Sequence, residues 1–195
     1  GSPLTFQVSN DSDDAEERIS NGDMNLGSSD LELGRDGSNS QEVGIRFRNV
    51  SIPQGATVVS AYIQFTVDES DTESTSVTIQ IQDTGNAAQY SNSDDDISSR
   101  SYTSGSVAWN NIPSWTSVGA SGADQATPDL TSLVQEVVNR GDWASGNALA
   151  FRITGTGQRT AESHDGDSNS APELVIELES NGGSAVANTW ESAAF

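Results

Sequence analysis

The chain has 195 residues, and its 29 acidic residues against eight basic ones give a formal net charge of −21. This length allows one domain with a well-buried core and is short for two. Every basic residue is Arg, and so acidic a surface excludes nucleic acid and anionic lipid as partners, because phosphate groups are bound by cations. No apolar run approaches the roughly 18 residues of a membrane span, which excludes membrane insertion.

The charge also bears on where the protein works. Like charges held close together destabilise a compact chain, and either high ionic strength or bound divalent cations relieve that repulsion. Both conditions are typical of a saline, calcium-rich medium outside the cell. We therefore expect a secreted or cell-surface protein from a marine or otherwise saline setting, with calcium as its cofactor.

Seven stretches alternate apolar and polar residues with a period of two, which is typical of strands with one buried face. In chain order they are 4–8, 31–33, 43–47, 59–67, 77–81, 149–153 and 174–178. The buried face of the fourth stretch is expected to carry Val59, Ala61, Ile63, Phe65 and Val67. Antiparallel sheets with one solvated face show this alternation, and two such sheets packed face to face form a sandwich.

One segment has the period of a helix, and it follows a long polar stretch. Residues 89–106 are rich in Ser and Asp and are predicted to be a loop. The apolar residues after it have helical spacing, at Leu130, Leu133, Val134, Val137 and Val138. With Thr127 as the N-cap, Pro128 as the first helical residue and Gly141 at the end, a helix of about three turns is predicted.

The ends of the chain suggest a module taken from something longer. Gly1-Ser2-Pro3 is typical of an engineered start, and the segment 180–184 has the composition of a linker. Residues 3–179 are predicted to form one calcium-binding module, and 180–195 a linker or C-terminal tail. Trp190 and Phe195 are unusual in a solvated tail and are expected to dock on the domain or on another molecule. We expect a monomeric module in a multidomain chain.

Five motifs in a fixed order carry a resemblance to a known family. They are Ile-Pro-Gln-Gly-Ala-Thr-Val-Val-Ser-Ala at 52–61, Val-Ala-Trp-Asn-Asn-Ile-Pro at 107–113, Asp-Leu-Thr-Ser-Leu-Val-Gln-Glu at 129–136, Asn-Ala-Leu-Ala-Phe-Arg at 147–152 and Ser-Ala-Pro-Glu-Leu-Val-Ile-Glu at 170–177. This series resembles the DNRLRE-type β-sandwich domains, which are related to the carbohydrate-binding modules of large secreted bacterial proteins. The resemblance covers roughly residues 3–179.

The resemblance implies an all-β fold, a jelly-roll-like antiparallel β-sandwich. Together with the segment of helical spacing, the prediction is such a sandwich with one short amphipathic helix. The resemblance also implies a bacterial, extracellular protein whose partner is an extracellular polysaccharide or a cell-surface glycan. Some relatives favour anionic polysaccharides such as alginate. The absence of Lys from this chain argues against an acidic glycan unless calcium bridges it.

Two alternatives to sugar binding stay open. The acidic N-terminal string resembles modules of very long calcium-dependent bacterial adhesins, which would make this an adhesion module that binds a protein or the peptide end of a surface protein. The second alternative is a structural spacer in which calcium only provides rigidity.

The acidic N-terminal string is the first candidate calcium site. Asp11, Asp13, Asp14, Glu16 and Glu17 lie within seven residues directly after a predicted strand. Calcium takes six to eight oxygen ligands at about 2.3–2.6 Å, and a loop of this composition can supply several of them. The alternative is a solvated acidic loop that binds nothing.

The segment 164–169 is the second candidate calcium site. It opens like an EF-hand loop, with Asp165, Asp167 and Asn169 at alternate positions. Ser170 and Ile176 stand where an EF-hand has its turn Gly and its bidentate Glu, so a calcium site in an irregular loop is predicted instead. If a coordination position stayed open, the ion and Asn169 could hold a sugar hydroxyl or a peptide carboxylate. A third acidic group, 94–96, is expected to face solvent.

Aromatic residues outside the alternating strands are candidates for stacking on a sugar ring. Trp115 and Tyr102 are the preferred ligand-binding candidates, and Trp143 is a further one that could instead fasten the helix to the sheet. Trp109 lies inside a family-like motif and is expected to be structural. Arg46, Arg48 and Arg152 lie on the polar sides of their strands and are expected to pair with carboxylates.

The residues argue against an enzyme. One His and no Cys cannot build the common catalytic zinc sites, and no nucleophile elbow or phosphate-binding Gly loop with Lys is present. A pair of carboxylates for glycoside hydrolysis is the remaining alternative. We therefore predict a non-catalytic protein.

Overall fold

A computed structural model describes residues 1–180, so the predictions for the tail from residue 181 on, including Trp190 and Phe195, lie outside the described residues. Within residues 1–180 the chain forms strands, one α-helix and one turn of 3-10 helix. The strands are β1 (Leu4–Gln7), β2 (Asp14–Arg18), β3 (Met24–Asn25), β4 (Asp30–Asp36), β5 (Asn39–Phe47), β6 (Val58–Gln64), β7 (Ser76–Ile81), β8 (Val107–Trp109), β9 (Leu149–Thr156), β10 (Gln158–Glu162) and β11 (Glu173–Leu178). The helix α1 covers Thr131–Val138, and the 3-10 turn covers Ala123–Gln125.

The strands form two antiparallel sheets that pack together. The small sheet has the order β1-β11-β6, and the large sheet has the order β10-β4-β5-β9-β7-β8. β4 pairs with β5 only near their shared hairpin and then pairs with β10, while β2 lies along β5 with β3 on its other side. The prediction of an all-β sandwich with one short helix is confirmed.

The predicted alternation places the core correctly in most strands. The inward residues Val43, Ile45 and Phe47 of β5 are fully buried and face inward residues of the other strands. The exception is Val59, which is 53% exposed and not buried as predicted. A register shift in the pairing of β11 with β6 skips Val59, so that Val58 takes the buried position opposite Leu178.

The helix is shorter than predicted. Its five apolar residues are buried as expected, but it covers eight residues, or about two turns, and its N-cap is Leu130. The expected N-cap, Thr127, instead exchanges hydrogen bonds with β6: its backbone N–H donates to the carbonyl of Ile63, and its hydroxyl accepts from the N–H of Ile63. Pairing with β6 at Ala126 and Thr127 therefore holds this segment beside the strand and delays the helix until Thr131. None of the described helices has the length and apolar composition of a membrane-spanning segment.

The long polar segment is irregular, as predicted, but it packs on the outer face of the large sheet. Tyr90 and Ile97 of this segment are buried there against Ala15 and Ala150 of the sheet in a second apolar cluster. The fit depends on Gly44 of β5, since a Cβ at that position would lie 2.6 Å from the ring of Tyr90. The segment is therefore part of the folded domain.

Candidate metal and ligand sites

Most of the acidic N-terminal string belongs to a buried strand between β5 and β3, which corrects the prediction of one calcium-binding loop. Asp13, Asp14, Glu16 and Glu17 are all buried, and the last three belong to β2. Because successive side chains of a strand point to opposite faces, these carboxylates cannot converge on one ion. Each of the four serves a different place in the fold.

Asp13 is held by two arginines, Arg46 in β5 and Arg48 just after that strand. Its Oδ1 lies 2.7 Å from Nη1 of Arg46, and its Oδ2 lies 3.8 Å from Nε of Arg48. Asp13 is completely buried, so its negative charge needs a partner, and Arg46 provides it. The expected role of these arginines as partners of carboxylates is met here, and Arg152 lies 3.9 Å from Glu42 in the same way.

Glu17 fastens the long polar segment to the sheet. Its carboxylate accepts hydrogen bonds from the backbone N–H groups of Ile97 (2.7 Å) and Ser98 (2.8 Å), eighty residues away. Ile97 and Ser98 lie within a turn, and a carboxylate is a favourable hydrogen-bond acceptor for their backbone N–H groups. Glu17 thus acts as an anchor within the fold.

Replacing Glu17 by Ala is expected to lower the free energy of unfolding by about 1–3 kcal/mol, because two backbone N–H groups lose their partner in a buried position. Urea unfolding measures the change, and hydrogen exchange at the amides of Ile97 and Ser98 should become faster. Asp94→Ala, at an exposed position of the same segment, is the matched control. Equal stability of the two variants would contradict the anchoring role.

Glu16 forms a buried pair with Glu32 of β4. One Glu16 oxygen accepts from the backbone N–H of Glu32 at 3.1 Å and from Nε2 of Gln41, which also donates to the carbonyl of Glu32 at 2.8 Å. Burial, followed by contact with Glu16, raises the pKa of Glu32 to about 9. The pair therefore holds a proton at neutral pH. Its two carboxyl groups are in direct contact, whereas glycoside hydrolysis needs them about 5–9.5 Å apart.

The structure brings Asp11 and Asp165 together with His164, in what we call the Asp11 cluster. Nδ1 of His164 lies 2.7 Å from Oδ1 of Asp11, and the backbone N–H of His164 donates to Asp14 at 2.7 Å. Ligand atoms of Asp11, His164 and Asp165 all lie within 4.8 Å of one another. Burial raises the pKa of Asp14 to about 7. The two segments proposed from the sequence as calcium sites thus meet at one place, through Asp11 and Asp165.

A second group of carboxylates was missed by the sequence analysis, and we call it the Asp30 cluster. Asp30, Asp68 and Glu69 offer oxygens that lie within 4.8 Å of one another. Glu162 completes it: it is the register partner of Asp30, and burial together with a hydrogen bond to Asp68 raises its pKa to about 7. The acidic run 68–71 after a predicted strand was the available signal.

Three chain segments position the Asp30 cluster. β4 and β10 supply Asp30 and Glu162 across one antiparallel pair. The backbone N–H of Asp68 donates to the carbonyl of Thr160 at 3.0 Å, which places the segment after β6 alongside β10. Among the described residues, the Arg ion pairs engage other carboxylates and leave these four without a cation.

The turn 164–170 lies between the two clusters. Asp167 accepts hydrogen bonds from the N–H of Asn169 (3.0 Å) and the hydroxyl of Ser170 (2.8 Å), so it stabilises its own turn and does not join Asp165 in one site. Gly166 packs directly against Ser29, the residue before β4, and a Cβ on Gly166 would clash with the carbonyl oxygen of Ser29. Only Gly allows the turn to approach this closely.

The structure corrects the assignment of two tryptophans to a ligand surface. Trp115 is completely buried, and its Nε1 donates to the carbonyl of Asp124 at 2.9 Å. Trp143 is buried as well, and its Nε1 donates to the carbonyl of Ile52 at 3.0 Å. Trp109 is also buried, as expected for a structural residue. Burying a large aromatic ring at the edge of the core is favourable, and each indole N–H of Trp115 and Trp143 has a partner there.

Tyr102 is half-buried and engaged within the protein. Its hydroxyl donates to the carbonyl of Ile97 at 2.7 Å, and the guanidinium of Arg152 lies 3.9 Å from its ring centroid. That face of the ring is not open to a sugar. Asn169, by contrast, is exposed and lines a cleft on the outer face of the small sheet.

No family model matches the chain, and no curated protein is similar to it in sequence. The geometry of the acidic clusters and of the cleft is therefore the basis on which a function is inferred.

Proposed function

We propose that the protein is a non-catalytic, calcium-dependent carbohydrate-binding module of a larger secreted or cell-surface protein. The observation that carries the calcium part is the Asp30 cluster, in which four carboxylates from three chain segments meet without an Arg among the described residues. Four like charges so close together are unfavourable unless they are protonated or bind a cation.

The chemistry of the Asp30 cluster favours calcium among cations. Its ligand atoms are all oxygens, which suit hard cations such as calcium and magnesium and not zinc or copper. Calcium accepts six to eight oxygens in an irregular arrangement, whereas magnesium requires near-ideal octahedral geometry. A cluster assembled from two strand ends and a loop fits the more tolerant ion.

The Asp11 cluster is the second proposed calcium site. Asp11 follows β1 near the start of the chain, and Asp165 precedes β11 near its end. An ion held by Asp11, Asp14 and Asp165 would fasten these two distant segments together. Its role would be structural, since it would stabilise the folded state in which alone the segments meet.

The carbohydrate part of the proposal is supported by the five ordered motifs that resemble the DNRLRE-type domains. It is also supported by an exposed polar cleft that neither acidic cluster uses. The contact between the carboxyl groups of the buried Glu16–Glu32 pair supports a non-catalytic role, because it leaves no room for a glycosidic bond between them.

Calcium in excess over chelator is expected to raise the melting temperature by about 5–10 °C. A site occupied at a hundred times its dissociation constant adds about 2.7 kcal/mol, and 1 kcal/mol corresponds to about 2–4 °C in a chain of this size. Differential scanning calorimetry with calcium, with magnesium and with chelator measures the shift. The double variant Asp30→Asn/Asp68→Asn should lose the share of the shift that comes from the Asp30 cluster.

The control for that variant is Asp94→Asn/Asp124→Asn, which removes the same charge at two exposed positions. The control should keep the calcium shift of the unaltered protein. An unchanged melting temperature in chelator would overturn the calcium proposal. A large shift without retention on any polysaccharide would instead favour the structural spacer.

A further inference from the structure

The outer face of the small sheet carries a cleft with a volume of about 290 Å³. Its floor is one row of side chains, because Gln7 of β1, Glu173 of β11 and Gln64 of β6 are register partners. Thr66, Ser121 and Asn169 line it from the adjoining segments. We call it the sheet cleft. Neither acidic cluster contributes a residue to it.

The side chains of the sheet cleft are held in place by bonds to the backbone. Nε2 of Gln7 donates to the carbonyls of Asn169 (3.0 Å) and Ala171 (3.1 Å). Nε2 of Gln64 donates to the carbonyls of Phe65 (3.2 Å) and Gly122 (2.9 Å). Both amides have thus used both of their N–H donors, and each retains only its carbonyl oxygen for a ligand.

Two further residues of the sheet cleft, Ser121 and Glu173, also offer acceptors. The hydroxyl of Ser121 donates to the carbonyl of Phe65 at 3.0 Å, so its remaining capacity is that of an acceptor. Glu173 adds an acceptor with a negative charge. Gln7, Gln64, Ser121 and Glu173 therefore present oxygen acceptors that are already oriented, and a ligand that binds over them must bring the donors. A sugar hydroxyl is such a donor, whereas a carboxylate or sulfate group brings none.

An aromatic ring lies next to the sheet cleft on the same face. Tyr62 stands two residues before Gln64 on β6, a distance of about 7 Å along the strand. Its cross-strand partner is Val175, so the ring lies against an apolar side chain beside the polar row. Tyr62 is only partly buried, and no hydrogen bond of its hydroxyl is found within residues 1–180. A sugar ring can stack on such a surface.

We infer that the sheet cleft and Tyr62 together bind a neutral polysaccharide, with one sugar unit over the cleft and a neighbouring unit on the ring. This inference rests on the proposed function and names the site and the class of glycan. This surface disfavours the anionic glycans that some members of the family the chain resembles bind. The floor of the cleft offers them a carboxylate and acceptor oxygens, and no Arg lines the cleft in the described part of the chain.

Affinity gel electrophoresis of the calcium-loaded protein tests the inference. The gels contain neutral polysaccharides of several linkages (xylan, mannan, galactan and β-glucan), with alginate as an anionic gel and chitosan as a cationic one. At least one neutral gel should retard the protein. Glu173→Gln and Tyr62→Ala should each weaken binding roughly tenfold, the loss expected for one good hydrogen bond or one stacked ring.

Glu136→Gln is the matched control, since it removes one negative charge from an exposed position on α1 and should bind as the unaltered protein does. Calorimetry of all variants shows whether the fold and the calcium shift are kept. Retention on alginate or chitosan alone would overturn the inference. If both cleft variants bind a neutral glycan as the unaltered protein does, the site is wrong and the proposed function still stands. If no gel retards the protein, both the inference and the carbohydrate part of the proposal are refuted.

Discussion

Replacing Arg159 by Met is expected to lower the free energy of unfolding by about 3–5 kcal/mol. Arg159 is only 1% exposed, and its guanidinium is enclosed by backbone carbonyls instead of a carboxylate. It donates to the carbonyls of Pro113 (2.9 Å), Glu73 (2.8 Å), Gln158 (2.7 Å) and Ile112 (2.7 Å), and to the hydroxyl of Thr75 (2.9 Å). Met fills a similar volume but removes all of these guanidinium donors from the buried acceptors.

Arg159 matters because it joins three parts of the sandwich. It belongs to β10, and its bonds tie that strand to the segments before β7 and after β8. β10 also carries Glu162 of the Asp30 cluster. The loss of Arg159 should therefore loosen the strand that positions one of the proposed calcium ligands.

Urea unfolding of the Arg159 variant is compared with that of Arg35→Met, which removes a partly exposed arginine that pairs with Glu73 at 2.6 Å. The exposed pair should contribute at most about 1 kcal/mol. Arg159→Lys keeps the charge with fewer donors and should fall between the two. Equal effects of Arg159→Met and Arg35→Met would show that the carbonyl cage does not stabilise the fold.

In chelator, the free energy of unfolding is expected to fall by roughly 3 kcal/mol as the pH rises from about 7 to about 9. Burial and the contact with Glu16 raise the pKa of Glu32 from 4.5 to about 9. A group with a raised folded pKa binds its proton more tightly in the folded state. Its contribution is complete below the pKa of the unfolded chain, and it is lost as the pH rises through the folded pKa.

Between about pH 7 and about pH 9, the loss of stability comes mainly from the ionisation of Glu32. Asp14 and Glu162, whose pKa values are raised to about 7, add a loss of the same sign at lower pH. Glu32→Gln removes the titrating group while it keeps the shape and a hydrogen-bonding amide. We expect this variant to be more stable than the unaltered protein at the alkaline end of the interval.

Chemical unfolding at several pH values in chelator measures this dependence, with Glu136→Gln as an exposed control for the same substitution. The control should keep the alkaline loss of stability. A free energy of unfolding that stays constant above about pH 7 would show that the Glu16–Glu32 pair is ionised in the fold and does not share a proton.

The sequence predicts the buried core of this protein better than it predicts the candidate sites. The stretches with period two became strands with the expected buried faces, as at Val43, Ile45 and Phe47, and the helical residues Leu133, Val134 and Val137 are buried as expected. Burial of one face of a strand or helix is a local pattern, because each element needs only its own alternation to mark its apolar side.

The candidate sites depended on contacts between residues that are distant in the sequence. Asp11 meets His164 at a separation of 153 residues, and Glu17 binds the backbone of Ile97 at a separation of 80. The burial of Trp115, and of Trp143 beside Ile52, likewise follows from the packing of neighbouring segments. No local pattern distinguishes such a buried residue from one in a solvated loop.

The acidic string at 11–17 shows where the division lies. Its charge and its position after a strand were evident from the sequence alone, as was the sandwich. Only the tertiary structure decided that most of the string is a strand, because the hydrogen-bonding edge of β5 pairs with Asp14–Arg18. Only the tertiary structure assembled the Asp30 cluster, because its carboxylates come from β4, from β10 and from the segment after β6, and the two sheets must pack before these segments meet.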